Sequence, residues 1–301
     1  MIDLLNWGLR TGVVISGLIG LVLLLRRPFA RYLGAEATFL LWSLPLLRLC
    51  LPDIKLAGKP QGVFIDYDRF LVIGGPEVSP QTAAPLTPTT EVITAQAQTF
   101  ISPQFIMGAI VMVWLTGALV WLSYHLIQHV RYGRLLRHVS MDGPHDLNPL
   151  IVKALNLVGL KKTPTIKIAP KNIGPLVSGL INPIVVLPKE FEHDYDDEAK
   201  LFALVHEFSH IKRRDLWAAF AALCFRALHW YNPLVHYAAR HFRADLEAAC
   251  DAYSLSKFKG QDTAAYDYAR ALLVAEHSET PTARIPSLSL ALHETANGGW
   301  S

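Results

Sequence analysis

The chain has 301 residues, of which 51% are hydrophobic and 18% charged, and its mean hydropathy is +0.27. A charged share below the roughly 25% of soluble domains, with the apolar residues gathered in a few long runs, argues against an ordinary soluble protein and predicts a membrane protein with a separate folded lobe. The net charge of +3 does not indicate direct nucleic-acid binding, because basic residues cluster beside the apolar runs, where membrane topology explains them.

Three apolar runs lie in the first half of the chain. We predict transmembrane helices at about 11–25 and 37–51, joined by a short cytoplasmic loop, and a third at 103–128. Arginines follow the first and third runs, and the positive-inside bias therefore places those flanks in the cytoplasm. The loop 53–102 and the N-terminus are then extracytoplasmic. The predicted location is the inner (cytoplasmic) membrane, crossed several times, with the lipid bilayer as one partner.

The segment 129–275 is predicted to be a cytoplasmic lobe of mixed helices and strands. Its predicted elements are a helix at 148–158, a strand at 165–169, two short strands within 174–188 and a long helix that begins after Asp194 and ends near 212–214. The fold class is therefore an α-helical membrane protein with an α+β cytoplasmic domain.

The long helix contains the sequence HEFSH. His206 and His210 are four residues apart on one helix face, so both imidazoles can reach one tetrahedral metal ion. Glu207 lies beside them, where it can accept a proton from the attacking water. The alternative is a pair of core histidines on an amphipathic helix. A similar run at 293–297 ends in Asn, and we do not interpret it as a second site.

A catalytic zinc ion needs a third protein ligand and an open position for water. Glu247 is the best candidate for that ligand. Asp251 lies four residues later on the same helix face, where it can hold a ligand imidazole by its other ring nitrogen. Cys250 is an alternative soft ligand, but it fits better as a small packing residue.

The segment between these candidates tests whether they can meet. It reads as one helix from 215 to 230, a turn at 231–233 and a second helix from 234 to 250. Each helix rises about 24 Å, so the second returns to the level where the first began and brings Glu247 back to the histidine pair. We therefore predict a hairpin at 215–250 that lies against or dips into the inner face of the bilayer. A single fourth transmembrane helix is the alternative.

Three further histidines near the hairpin could stabilise an oxyanion, but they fit better as interfacial or packing residues: His229, His236 and His241.

The zinc-site segments, VHEFSHIKRRD and LHWYNPLVHYAARHFRADLEAACD, resemble the regulatory zinc metallopeptidases of the BlaR/MecR type, the β-lactam-sensing antirepressor group. The pieces ATFLLWSLPLLRLCLP and SGLINPIVVLP are also similar, and the resemblance covers about residues 1–275.

The resemblance implies a zincin-like (gluzincin) domain joined to transmembrane helices. It carries over zinc ligands His206, His210 and Glu247, the catalytic base Glu207, and Asp251 as the residue that holds a ligand. It also implies that an outside signal switches on proteolysis, which leads to loss of a cytoplasmic DNA-binding repressor. An edge strand near Val177 or Val185 would align the substrate backbone.

Two features separate this chain from that group. The chain ends after a polar tail at 276–301, so we expect either truncation before a further transmembrane and sensor region or a different sensing part. We also expect no serine motif of the S-x-x-K kind, which penicillin-binding proteins carry, and therefore assign no β-lactam sensing. Two other functions stay open. One is a housekeeping membrane protease for quality control, and the other is a signalling scaffold with a vestigial zinc site. An intact Glu207 argues against the scaffold, because a structural site needs no base.

Overall fold

The computed structural model describes residues 2–50, 103–142, 148–169, 174–193, 195–258 and 290–291. The predicted outer loop, most of the tail and the run at 293–297 lie outside these residues. The helices are α1 (Ile2–Tyr32), α2 (Gly34–Leu40), α3 (Ser43–Cys50), α4 (Pro103–Val139), α5 (Asn148–Val158), α6 (Asp197–Arg213), α7 (Asp215–Leu228) and α8 (Pro233–Leu255). The strands are β1 (Met141–Asp142), β2 (Thr165–Ala169), β3 (Leu176–Ser178), β4 (Ile184–Pro188) and β5 (Leu290–Ala291), with short 3₁₀ turns at Lys189–Glu192 and Ser256–Phe258.

Two helices are long and apolar enough to cross a membrane, at Arg10–Tyr32 in α1 and Phe105–His138 in α4. Only 17% and 6% of their most apolar windows are buried within the protein. A core helix of a soluble protein would hide most of that surface, so the exposed apolar faces suit contact with lipid. Both helices are longer than the predicted spans.

The predicted helix at 37–51 differs from the structure, which divides it into α2 and α3. The break lies at Leu41 and Trp42, whose backbone N–H groups bond to carbonyls three residues earlier. Pro45 explains the break, because it has no N–H to donate and restricts the residue before it. The break also turns the Trp42 side chain inward, where it is buried.

A five-stranded sheet in the order β1-β2-β4-β3-β5 forms the lobe. β2 and β4 are parallel, and β3 pairs antiparallel with both β4 and β5. Val177, Val185 and Leu187 pack on one face against Leu204 and other apolar residues of α5 and α6. The other face packs against the C-terminal part of α4 at Leu136.

The sheet order corrects one expectation and refines another. Val185 cannot lie on an edge strand, because its strand, β4, has neighbours on both sides. Val177 lies on β3, and there β5 of the same chain pairs with it through Leu290. The segment 176–178 therefore already has a partner strand on its outer side.

The hairpin is present as α7 and α8. Asn232 begins the second helix, since its side chain accepts a hydrogen bond from the Leu234 N–H at 3.0 Å, and Pro233 occupies the first helical position. Asn232 also donates to Ser16 of α1 at 3.0 Å. The hairpin therefore packs along α1 as well as folding back on itself.

The tip of the hairpin also packs against α4. Trp114 Nε1 donates to the Leu228 carbonyl at 2.9 Å, and Trp230 Nε1 donates to the Trp114 carbonyl at 3.2 Å. A Cβ atom on Gly117 would lie 2.5 Å from the Trp230 ring, so this close approach requires glycine. Trp114 is near the middle of the apolar run 105–127. The tip of the hairpin thus lies beside the middle of that run.

Candidate metal centre

The helix α6 places both histidines and the central glutamate inside the lobe. Its first turn is capped by Asp196, whose carboxylate accepts the Ala199 N–H at 2.8 Å. Arg214 ends it in the left-handed region with φ 62°, which makes the tight turn into α7. His206, Glu207 and His210 are all buried.

The three predicted metal ligands lie together. The Nε2 atoms of His206 and His210 are 3.1 Å apart. Oε2 of Glu247 is 3.8 Å from the first and 3.4 Å from the second. Ligand atoms about 2.0–2.1 Å from a tetrahedral zinc ion are about 3.3 Å from one another. The separations therefore fit three ligands around one metal ion.

The opposite nitrogens of the two rings each meet a carboxylate. His206 Nδ1 is 3.2 Å from Asp251 Oδ1, and His210 Nδ1 is 2.9 Å from Asp215 Oδ2. A carboxylate accepts a hydrogen bond from the Nδ1–H group, and this tautomer leaves the Nε2 lone pair free to bind a metal. Asp251 lies where the sequence interpretation put it, but Asp215 was treated only as the start of the hairpin.

Asp215 is itself held in place by Arg213, just before the turn between α6 and α7. Arg213 Nε donates to both carboxylate oxygens of Asp215 at 3.2 and 3.1 Å, and its Nη1 donates to the Ala249 carbonyl on α8 at 2.7 Å. The only sequence signal for this role was a carboxylate five residues after His210, just beyond the helix end. Arg213 and Asp215 thereby tie the ligand helices α6 and α8 together.

Cys250 also faces the histidines. Its sulfur and the ring nitrogens of His206 and His210 lie within 4.8 Å of one another, which makes this trio a possible metal-binding group. The thiol has another partner, since it contacts the His206 carbonyl at 3.7 Å. Burial raises the pKa of Cys250 to about 11, which favours the neutral thiol over the thiolate that binds metals. Glu247 and Cys250 are thus both within reach as the third ligand.

The surroundings of His210 favour a bound cation. Burial alone lowers the pKa of His210, but the Glu247 carboxylate and the hydrogen bond to Asp215 act against burial, and that pKa lies well above its usual value. A site that stabilises a proton between these groups also suits a metal ion, which competes for the same lone pairs.

Glu207 is the one buried acid here whose oxygens both have no hydrogen-bond partner among the described residues. Burial raises its pKa to about 7, with a further rise from Glu247, while His206 and His210 lower it. An unpartnered buried carboxylate is costly to the fold, and such groups are typical of active sites. A pKa near 7 suits a residue that accepts and returns a proton.

The opposite side of α8 carries a second polar cluster that the sequence did not predict. Asp245 Oδ1 accepts from Arg26 Nη2 at 2.8 Å, and its Oδ2 accepts from Trp42 Nε1 at 2.9 Å. Arg26 also contacts His241 Nδ1. This cluster joins the end of α1 and the break between α2 and α3 to the helix that carries Glu247.

The three histidines considered as oxyanion candidates have partners within the hairpin or beside it. His229 Nδ1 donates to the Phe225 carbonyl at 3.0 Å, and His236 Nε2 donates to the Trp230 carbonyl at 2.9 Å. With His241 at Arg26, these contacts fit the packing role expected for them.

A family comparison covers almost the whole chain. The family model of the BlaR1 peptidase M56 group matches residues 8–296. The chain belongs to this family. The M56 family is one of metallopeptidases, and His206, His210, Glu247 and Cys250 are the candidates to bind its metal.

Individual M56 relatives match over shorter stretches. The regulatory protein BlaR1 of Bacillus licheniformis is 28% identical over 156 residues, which are 50% of this chain and 25% of that protein. The methicillin resistance mecR1 protein of Staphylococcus aureus (strain Mu50 / ATCC 700699) is 27% identical over 142 residues, 47% of this chain and 24% of that protein. The matched part thus spans about a quarter of each relative.

The expectation that the chain lacks an S-x-x-K motif was wrong. The letters S-x-x-K, which mark the serine nucleophile of penicillin-binding proteins, do occur from Ser254 to Lys257 and from Ser256 to Lys259. Ser254 is completely buried in the last turn of α8, and Ser256 donates to the Tyr253 carbonyl at 2.5 Å. These positions belong to the peptidase lobe and give no support for a β-lactam site.

Proposed function

We propose that this M56 protein is a zinc metalloendopeptidase of the cytoplasmic membrane, which cleaves a cytoplasmic repressor or its own chain in response to a signal. The observation that carries this proposal is the meeting of His206, His210 and Glu247 beside an unpartnered, buried Glu207. A purely structural metal site would not need that carboxylate.

The proposed roles follow from these positions. Zinc bound at this site would supply Lewis-acid polarisation of the scissile carbonyl and would lower the pKa of the attacking water. His206 and His210 offer their Nε2 atoms as ligands because Asp251 and Asp215 hold the opposite nitrogens. Glu207 accepts the water proton and passes it to the leaving amine, a task for which a raised pKa is suited.

The arrangement of the sheet favours a peptide as the substrate. β3 packs against α6, the helix of the histidines, and pairs antiparallel with β5 of the same chain. A backbone in the position of β5 gains the hydrogen bonds of an added strand, which is a common way to bind extended peptides. A segment of the chain itself occupies this position, which favours cleavage of its own chain as one activity.

Glu207→Gln tests the proposed base. This change keeps the size of the side chain and removes its ability to accept a proton. We expect bound zinc to stay near one per chain while cleavage of the repressor and of the chain itself falls by 10²–10⁴-fold. Full-length protein in membranes, with its metal content measured by mass spectrometry and its cleavage followed by immunoblot, gives both readouts.

The control is Glu198→Gln, an exposed acid in the first turn of the same helix. It should leave cleavage unchanged. Retained cleavage in Glu207→Gln would reject the assigned base.

A comparison of the proteins that accumulate in cells with the wild type and with Glu207→Gln separates the regulatory protease from the quality-control protease. One stabilised DNA-binding repressor indicates regulation, whereas many unrelated membrane fragments indicate quality control.

A further inference from the structure

Three arginines of the hairpin lie close enough together for their charges to interact. Arg226 lies on α7, and its guanidinium carbon is 4.9 Å from the centre of the Trp121 ring of α4. Arg240 and Arg243, on α8, are near enough to repel its charge. The Nε atom of Arg226 is buried and has no hydrogen-bond partner among the described residues. The metal centre does not use Arg226, so this buried cation calls for another explanation.

Two grooves meet at Arg226. One is almost entirely apolar and runs between α1, α3 and the hairpin, with Ile19 and Leu46 on one wall and Phe225 on the other. The second lies between α7 and α8 and is lined by both Arg226 and Arg243. A ligand that fills both needs an anionic group at one end and an apolar chain at the other.

The level of this site indicates which ligand that is. Arg26 and Arg27 mark the predicted cytoplasmic end of the first span, and Arg26 bonds to Asp245 on α8. Arg243 therefore lies near the depth of the inner leaflet's headgroups, where anionic phosphates are abundant. Arginine is suited to them because its planar fork donates two parallel hydrogen bonds to one phosphate.

We propose that the grooves around Arg226 bind one anionic phospholipid of the cytoplasmic leaflet. The phosphate accepts hydrogen bonds from Arg226 and Arg243, and an acyl chain lies against Ile19, Leu46 and Phe225. Glu247 offsets part of the Arg243 charge, and the lipid phosphate supplies a negative group to Arg226. The proposal depends on the membrane location given above but not on peptidase activity.

Native mass spectrometry of the full chain tests this proposal. The inactive Glu207→Gln form is purified in detergent and mixed with phosphatidylglycerol or with phosphatidylcholine of the same acyl chains. We expect one phosphatidylglycerol to stay bound per chain, and at least tenfold less phosphatidylcholine. Arg226→Gln should reduce phosphatidylglycerol retention at least tenfold. Ala222→Leu should do the same, because Ala222 lines both grooves and the larger side chain blocks them without changing charge.

Arg137→Gln is the matched control, since Arg137 is an exposed arginine at the cytoplasmic end of α4. It should retain the lipid fully. Equal retention of the two lipids would overturn the proposal, as would full retention in Ala222→Leu. Displacement of the lipid by millimolar inorganic phosphate alone would also overturn it, because the acyl chain would then contribute nothing. If Arg226→Gln does not fold, Arg226→Lys keeps the charge and should still lose most of the lipid.

Discussion

Two carboxylates on α8, Asp245 and Glu247, are only two residues apart and serve opposite sides of the helix. A spacing of two residues turns the chain by about 200°, so the side chains face away from each other. Asp245 faces α1 and Trp42, and Glu247 faces His206 and His210 on α6. One helix thus joins the membrane helices to the metal centre.

The two sides differ in how their polar atoms are satisfied. Each oxygen of Asp245 accepts a hydrogen bond from a fixed donor, so that side is complete as it stands. On the other side, ring nitrogens and a carboxylate oxygen point at one another, and Glu207 has no partner among the described residues. A satisfied cluster stabilises the fold, whereas converging lone pairs mark a place for a cation. Perturbing each side separately should therefore affect different properties.

The largest expected effect is loss of metal from Glu247→Ala. Removing the carboxylate leaves only the imidazoles of His206 and His210, and we expect the affinity for zinc to fall more than 100-fold. Cys250→Ala should change it less than tenfold, because the thiol already contacts the His206 carbonyl. Titration of metal-free protein with zinc against a competing chelator measures both.

The opposite ranking would make Cys250 the third ligand. An equal and large loss in both variants would mean that four protein groups hold the metal, which leaves no open position for water. That result would favour the structural-site alternative over a peptidase.

On the membrane-facing side we expect a loss of stability. Arg26 and Asp245 form a pair whose side chains are only 20% and 9% exposed. Breaking such a pair leaves one buried charge uncompensated, so Arg26→Gln or Asp245→Asn should lower the free energy of unfolding by about 3 kcal/mol. Thermal or denaturant unfolding of the full chain in detergent measures this loss.

The double variant separates pairing from packing. If the two side chains interact, Arg26→Gln combined with Asp245→Asn should cost at least about 1 kcal/mol less than the sum of the single changes. Simple additivity would show that the pair contributes little. Arg27→Gln serves as control, because the side chains that donate to Asp245 are those of Arg26 and Trp42.

The helices of the lobe followed from local signals in the sequence. Three such signals act within a few residues: Asp196 at the start of α6, Gly159 after the end of α5 and Asn232–Pro233 at the hairpin turn. For the same reason the bounds of α5 and β2 agree with those expected. The HEFSH spacing likewise fixed which side chains share a face of α6.

Contacts between segments that are far apart in the chain could not be predicted from the sequence. Asp215 is sequence-adjacent to the turn after α6, but only the fold reveals that this turn returns it to His210. The pairing of Asp245 with Arg26 joins positions more than 200 residues apart, and no local pattern encodes it. The edge position predicted for Val185 was wrong for a similar reason, because periodicity predicts a strand but not which strands lie beside it.

A smaller effect should separate the two carboxylates that hold the imidazoles. The Asp215 side chain is 2% exposed and lies 2.9 Å from its ring nitrogen, whereas that of Asp251 is 35% exposed and lies 3.2 Å away. Water can replace the second contact more readily than the first. We expect Asp215→Asn to weaken zinc binding 10–100-fold and Asp251→Asn to weaken it less than tenfold. The same zinc titration compares them, and equal losses would contradict the argument from burial.

The smallest expected effect is a pH dependence of stability in the metal-free protein. Burial raises the pKa of Glu207 from 4.5 to about 7, so the folded state binds this proton more tightly than the unfolded state. Between those two pH values the unfolding free energy must therefore fall as pH rises, by about 1 kcal/mol per pH unit. Glu207→Gln should remove this part of the slope. The raised pKa of His210 acts in the same direction but is present in both proteins, so the difference between their slopes reports Glu207. Identical slopes in urea unfolding from pH 5 to 7 would show that the Glu207 carboxylate finds a partner in solution and is not the isolated buried acid that its position in α6 makes it.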